Sequence, residues 1–260
     1  MPTPYDRDVA VIDLNADLGE GFGAWRMGDD EALLGVVTSA NVACGFHAGD
    51  PSIMRRTCEL AVVHGVTVGA HVSYRDLAGF GRRAIEVPEL ELADEVLYQL
   101  GALDACCRAA GTRLRYLKPH GALYNRVFAD DEHAAAVVAA VRAFDRSLVV
   151  LGAPGSRLLT LAADVDLATC AEGFADRAYR ANGELVPRSQ QGAVHHDTER
   201  VVAQALGLAI TGMAVTPEGE PVSVRARSLC VHGDTPGAVS LARAVRDAME
   251  GAGITLAAFA

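Results

Sequence analysis

Acids, amides, histidines and a lysine recur in this chain at the ends of short apolar runs. The first run leads through Asp13-Leu14-Asn15-Ala16-Asp17, where a period of two places Asp13, Asn15 and Asp17 on one face of an extended segment. Three polar side chains in an apolar strand are costly in a dry interior unless each is paired. The second run delivers His47, the third His71, the fourth Lys118 and His120, a later one Glu172 and then Arg177, and the last His232 and Asp234. A single histidine at a strand end is usually a hydrogen-bonded structural residue. The same placement repeated strand after strand predicts that these groups meet at one mouth. Histidines and carboxylates there suit general acid–base catalysis, and a lysine suits a developing oxyanion. Asp17, His47 and His71 have the ligand types of a catalytic zinc or manganese centre; a metal-free acid–base cluster is the alternative.

The elements that must position these groups are legible in the hydrophobic pattern. Strand-type apolar runs fall at 9–14, 39–44, 66–71, 115–118, 147–152, 167–172 and 228–232. Amphipathic stretches fall between or after them at 51–64, 88–110, 130–145, 154–163, 197–211 and 235–251. Asp50 is placed to cap the helix that Pro51 opens. Apolar strands alternating with helices predict a parallel sheet covered by helices, with its site at the C-terminal ends of the strands. About seven such units in 260 residues favour an α/β, TIM-like (β/α) barrel over an open doubly wound sheet. No linker rich in Pro, Gly or Ser divides the chain, so one domain is expected over 1–260. The turn Pro217-Glu218-Gly219-Glu220-Pro221 predicts a small hairpin before the last strand.

Composition sets the outer bounds. Half of the 260 residues are hydrophobic, which excludes disorder as the dominant state. A formal charge of −10 argues against nucleic-acid or anionic-membrane surfaces. No apolar run reaches the roughly 18 residues of a membrane span, and the first residues lack the pattern of a secretory signal. The 6 cysteines show no CxxC spacing and read as reduced thiols of a cytoplasmic protein. There is no GxxxxGK[ST] loop, and Gly21-Phe22-Gly23 lacks the later glycine of a dinucleotide fingerprint. Lys118, Arg82, Arg83, Arg177 and Arg188 are the cations available to hold an anion near the mouth. His195-His196-Asp197 reads as a helix cap, because adjacent histidines do not share a face.

At these residues the sequence resembles the LamB/YcsF family. The blocks are DLNADLGEGFG at 13–23, ANVACGFHAGDP at 40–51, GAHVSYRDLAGFGRR at 69–83, LKPHGALYN at 117–125, AEGFADRAYRANGELVPR at 171–188 and LCVHGDTPGA at 229–238. They span almost the whole chain in order. Val72 and Arg75 stand where the family usually has prolines, which leaves His71 and Tyr74 in place. The resemblance implies a barrel similar to the polysaccharide deacetylases, seven-stranded and incompletely closed. It also implies the role of the A component in an ATP-dependent 5-oxoprolinase, which converts 5-oxo-L-proline, ATP and water to L-glutamate, ADP and phosphate. ATP, with its Mg, is then a co-substrate of an assembly with 5-oxoprolinase subunits B and C, and homo-oligomerisation is left open.

For that hydrolysis, Asp17 or His47 is the candidate general base, and His71 or His120 the candidate acid to the leaving nitrogen. Lys118 is the candidate oxyanion stabiliser, with Asp13 and Asn15 orienting these groups and Glu172, Arg177, His232 and Asp234 completing the ring of contacts. Two other readings stand beside it. One is a stand-alone metal-dependent deacetylase or amidohydrolase. The other is a non-catalytic protein that captures a small carboxylate for the assembly.

Overall fold

In the computed structural model, which describes residues 11–231 and 237–260, strands and helices alternate as the hydrophobic pattern predicts. The elements in chain order are β1 (Val11–Leu18), α1 (Asp30–Leu34), β2 (Ser39–Ala43), α2 (Pro51–His64), β3 (Thr67–Val72), α3 (Glu89–Ala109), β4 (Tyr116–Pro119), α4 (Gly121–Arg126), α5 (Asp131–Phe144), β5 (Val149–Gly152), α6 (Arg157–Asp164) and β6 (Thr169–Phe174). They continue with α7 (Thr198–Thr211), β7 (Met213–Val215), β8 (Pro221–Ser223), β9 (Ser228–Val231), α8 (Ala238–Gly251) and β10 (Thr255–Leu256).

Among the described residues, β1-β2-β3-β4-β5-β6-β9 form a ring of parallel strands. The ring was expected to stay open at one point; it closes. β9 pairs with β6 through Ser228 opposite Glu172, and with β1 through Ser228 opposite Asp13. The Ser228 hydroxyl donates to Asp13 and accepts from Asn15, so the closing strand also satisfies buried polar groups of β1. β10 lies alongside Val11 and Ile12 of β1.

The helices form where the sequence supplies caps and an apolar face. Asp50 accepts from Ser52 N at 2.8 Å and Ile53 N at 3.0 Å to start α2, which ends on Gly65 in the left-handed region. Asp197 caps α7 through Arg200 N at 2.8 Å, the structural role that its sequence neighbourhood predicts. Leu92, Val96, Leu100, Leu103 and Cys107 recur every three or four residues along α3 and are buried. The expected hairpin is present as antiparallel β7 and β8. β1 runs to Leu18, four residues past the apolar run that announces it, and Asn15 and Asp17 therefore lie inside the strand.

Candidate active site at the mouth of the barrel

The interior of the ring is polar. Asp13, deepest on β1, accepts hydrogen bonds from the hydroxyls of Thr38, Ser39 and Ser228. Burial pushes its carboxyl up to about 6, against the pull of those three donors. Asn15 donates to Glu172 Oε1 at 2.9 Å and to Ser228 Oγ at 2.6 Å, and accepts from Asn41 Nδ2 at 2.7 Å. Asn41 also donates to Asp17 Oδ1 at 2.8 Å and accepts from the Tyr116 hydroxyl at 2.6 Å. Gly69 on β3 leaves the room that Tyr116 fills: a Cβ there would fall inside its ring.

Lys118 sits on top of this network, with 2% of its surface exposed. Its Nζ lies 2.8 Å from Glu172 Oε1, 3.0 Å from Asp17 Oδ1 and 3.3 Å from Cys230 Sγ. Burial opposes its charge, but the flanking carboxylates of Asp17 and Glu172 outweigh burial and hold the ammonium well above the ordinary lysine range.

Beside the lysine stand three histidines. His47 and His120 stack at 3.8 Å, and His71 lies edge-on to both. His71 Nδ1 donates to the carbonyl of Lys118 at 3.2 Å, and His120 Nε2 donates to the carbonyl of Phe80 at 2.9 Å. Burial first, then its histidine neighbours, holds His120 well below the ordinary histidine range; burial and the charge of His71 do the same for His47. Phe80 carries φ of 54°, a left-handed conformation uncommon for a bulky residue, and its carbonyl is the one that orients His120.

The remaining nitrogens of His71 and His120 meet at 2.9 Å. With their other protons committed to carbonyls, neutral rings would oppose two lone pairs at that distance. Either one proton sits between them, on the side of His71 that faces Asp17 Oδ1 at 3.3 Å, or a cation takes both lone pairs. Glu20 Oε1 approaches the same place, 3.2 Å from His47 Nε2 and 3.7 Å from His120 Nδ1. Among the described residues, Glu20, His47, His71 and His120 bring ligand atoms within 4.8 Å of one another, a donor set that could hold a metal ion. The set differs from the expected Asp17, His47 and His71: Glu20 replaces Asp17, which is engaged with Lys118 and Asn41, and His120 joins.

A cavity of about 520 Å³ opens above these groups. Asp17, His71, Lys118, His120, Glu172 and Arg177 line it, as their strand-end positions predict. His47 lies behind His120, and Asn15 lies beneath Glu172 as its support. Asp13 is not on the lining; it sits two residues below Asn15, where its hydroxyl partners occupy it. His232 and Asp234 lie outside the described residues. Arg177 donates to the carbonyls of Ala193 and Val186, and burial, then the nearby charge of Arg188, lowers its pKa to about 10. Arg83 is committed to Asp76, while Arg82 and Arg188 are on the cavity wall.

Three wall residues were not singled out from sequence: Glu20, Tyr124 and Phe174. Glu20 follows the end of β1 by two residues, and that spacing was a usable signal. Tyr124 and Phe174 read as ordinary core aromatics.

The LamB/YcsF family profile matches residues 12–260. The chain belongs to the LamB/YcsF family. This LamB/YcsF chain is 62% identical over 250 residues to the 5-oxoprolinase A component of Streptomyces avermitilis, covering 96% of this chain and 100% of that one. It is 57% identical over 248 residues to the protein of the same name from Nocardia farcinica, covering 95% and 99%. The crystal structure of a lactam utilization protein from Thermus thermophilus superposes with a TM-score of 0.91 at 44% identity, covering 95% of this chain and 99% of that one. A putative cellobiose-phosphate cleavage protein from Enterococcus faecalis shares the fold alone, with a TM-score of 0.55 at 15% identity over 96% and 97% of the two chains.

Proposed function

We propose that this chain is the lactam-opening A component of an ATP-dependent 5-oxoprolinase. The assembly, completed by subunits B and C, converts 5-oxo-L-proline, ATP and two waters to L-glutamate, ADP and phosphate. The observation that carries this reading is the convergence of Asp17, His71, Lys118, His120 and Glu172 on one cavity, in a chain whose near relatives bear that name.

A five-membered lactam is a stable amide, and coupling to ATP offsets the cost of opening it. Transfer of the γ-phosphoryl group to the lactam oxygen makes the ring carbon electrophilic and releases ADP. Water then adds to that carbon, the C–N bond breaks with a proton delivered to nitrogen, and phosphate leaves. Asp17 is placed to take the proton from water, being in contact with His71 at 3.3 Å. The His71–His120 pair relays a proton to the leaving nitrogen. Lys118, held charged, faces the oxygen that gains negative charge. Asn15 and Asp13 hold Glu172 and β1 in place from below. With no P-loop in the sequence, the nucleotide and its Mg are assigned to the partner subunits.

A divalent ion held by Glu20, His47, His71 and His120 would supply Lewis acidity at this mouth. That donor set favours a second reading, an amidohydrolase that works with metal and without ATP. A coupled assay for ADP and glutamate separates the two. The isolated chain is expected to be inactive and to gain 5-oxoproline-dependent ATP hydrolysis on adding subunits B and C. Glutamate release by the isolated chain without ATP would establish the second reading, and no turnover in the full assembly would sink the first.

A further inference from the structure

Two buried polar atoms on the cavity wall have no partner in hydrogen-bond geometry: the Tyr124 hydroxyl oxygen and Glu172 Oε2. Tyr124 is 8% exposed and Glu172 1%, so water does not compensate either freely. Such groups cost free energy in a folded protein and call for an explanation. The two are neighbours. After burial, the charge of Glu172 is the strongest influence holding the Tyr124 phenol far above its ordinary range, and the approach of the hydroxyl to that carboxylate adds to it. The hydroxyl therefore keeps its proton and is a donor. Glu172 Oε1 is already taken by Lys118 and Asn15, which leaves Oε2 as an acceptor. Tyr124 is held from behind by the Phe174 ring, edge-on at 5.6 Å, and Phe174 carries Lys118 over its face at 5.3 Å.

We infer that Tyr124 and Glu172 together recognise the cis edge of a lactam, Tyr124 donating to its carbonyl oxygen and Glu172 Oε2 accepting from its N–H. Ring closure forces the amide of a small lactam to be cis, so its N–H and C=O point to the same side. Open-chain secondary amides are almost always trans and point them to opposite sides. A donor and an acceptor set side by side therefore select a lactam over a peptide or an N-acetyl group. The inference rests on the 5-oxoprolinase reading of this cavity and names the residues that give that site its substrate class.

The test is calorimetric titration of 5-oxo-L-proline into the assembled complex, built with wild-type chain or with Tyr124→Phe. The variant is expected to bind about tenfold more weakly, the loss of one hydrogen bond to a buried group. Its melting temperature without ligand is expected to equal or exceed that of wild type, because the hydroxyl has no well-formed protein hydrogen bond to lose. The second probe is the lactone acid with oxygen in place of the ring N–H, which sets an acceptor against Glu172 Oε2. It is expected to bind the wild-type complex at least about tenfold more weakly than 5-oxo-L-proline. Equal binding by Tyr124→Phe, equal binding of the lactone, or a lower melting temperature of the ligand-free variant would each overturn the inference while leaving the substrate reading intact. Absence of 5-oxoproline binding by the wild-type complex would overturn both.

Discussion

Lys118 Nζ and Glu172 Oε1 lie 2.8 Å apart in an ion pair almost wholly removed from water, although 53 residues separate them in the chain. With Asp17 on the other side, the lysine is the single cation among three buried charges at the floor of the cavity. Breaking such a group by removing one member costs more than the group gains in forming, because the remaining charges stay buried. Lys118→Ala is therefore expected to lose about 3–5 kcal/mol of stability as well as turnover. Urea denaturation of the isolated chain checks the first, and the coupled assay the second; a stable but inactive variant would show that the carboxylates are screened in some other way.

The opposed nitrogens of His71 and His120, with Glu20 and His47 beside them, predict a response to divalent metal. Zinc or manganese is expected to raise the melting temperature, since an ion that binds only the folded state stabilises it by mass action. A chelator should reverse the effect, and His120→Asn should abolish it. Elemental analysis of protein purified without added metal provides an independent count. No response to either ion would leave the shared proton as the occupant of this contact.

Asp13 sets a pH dependence whose sign can be worked out. Its folded-state pKa of about 6 lies above the ordinary 3.8, so the folded chain holds this proton more tightly than the unfolded one. Its contribution to stability is then most favourable below pH 3.8, falls as pH rises through 6, and is a penalty above that. A shift of this size corresponds to at most about 3 kcal/mol. The buried neutral histidines His47 and His120 act in the opposite sense, losing stability as pH drops below 6.5. Asp13→Asn isolates the first effect: relative to wild type, the variant should be more favoured at about pH 7.5 than at about pH 4.5. A stability difference that does not change between those pH values would refute the assignment.

Gly81 predicts a local packing effect. Its φ is +63°, and a Cβ there would stand 2.8 Å from the His120 ring and 2.8 Å from His47 Cβ, and closer still to Ser73 Oγ. Gly65, at φ +67°, has nothing within 4 Å of the same added atom. Gly65→Ala incurs only the left-handed strain, about 1–2 kcal/mol. Gly81→Ala is expected to cost more and to displace the histidines, so activity should fall with it. Equal melting temperatures for the two variants would show that the loop yields.

Much of the fold and part of the site were legible in the chain itself. The alternation of apolar runs and amphipathic stretches encodes strand, helix and their order, because burial on two faces of a strand and one face of a helix leaves distinct periods. α2 falls at the expected residues because Asp50 and Pro51 mark its start and Gly65 its end. Strand-end polar residues pointed to Asp17, His71, Lys118, His120, Glu172 and Arg177, since parallel strands all deliver their ends to one face.

Tertiary structure alone decided the rest. Whether β9 would close on β1 depended on pairing two strands from opposite ends of the chain, for which local pattern carries no signal. That Asp13 is committed to hydroxyls below the cavity while Asp17, on the same strand face, reaches it is a matter of depth in the barrel. Tyr124 and Phe174 look like core aromatics in a sequence, and only three-dimensional packing reveals a hydroxyl left without a well-formed hydrogen bond beside a carboxylate. Hydrophobic period is a property of neighbouring residues, whereas hydrogen-bond satisfaction depends on every group within about 3 Å, most of them remote in the chain.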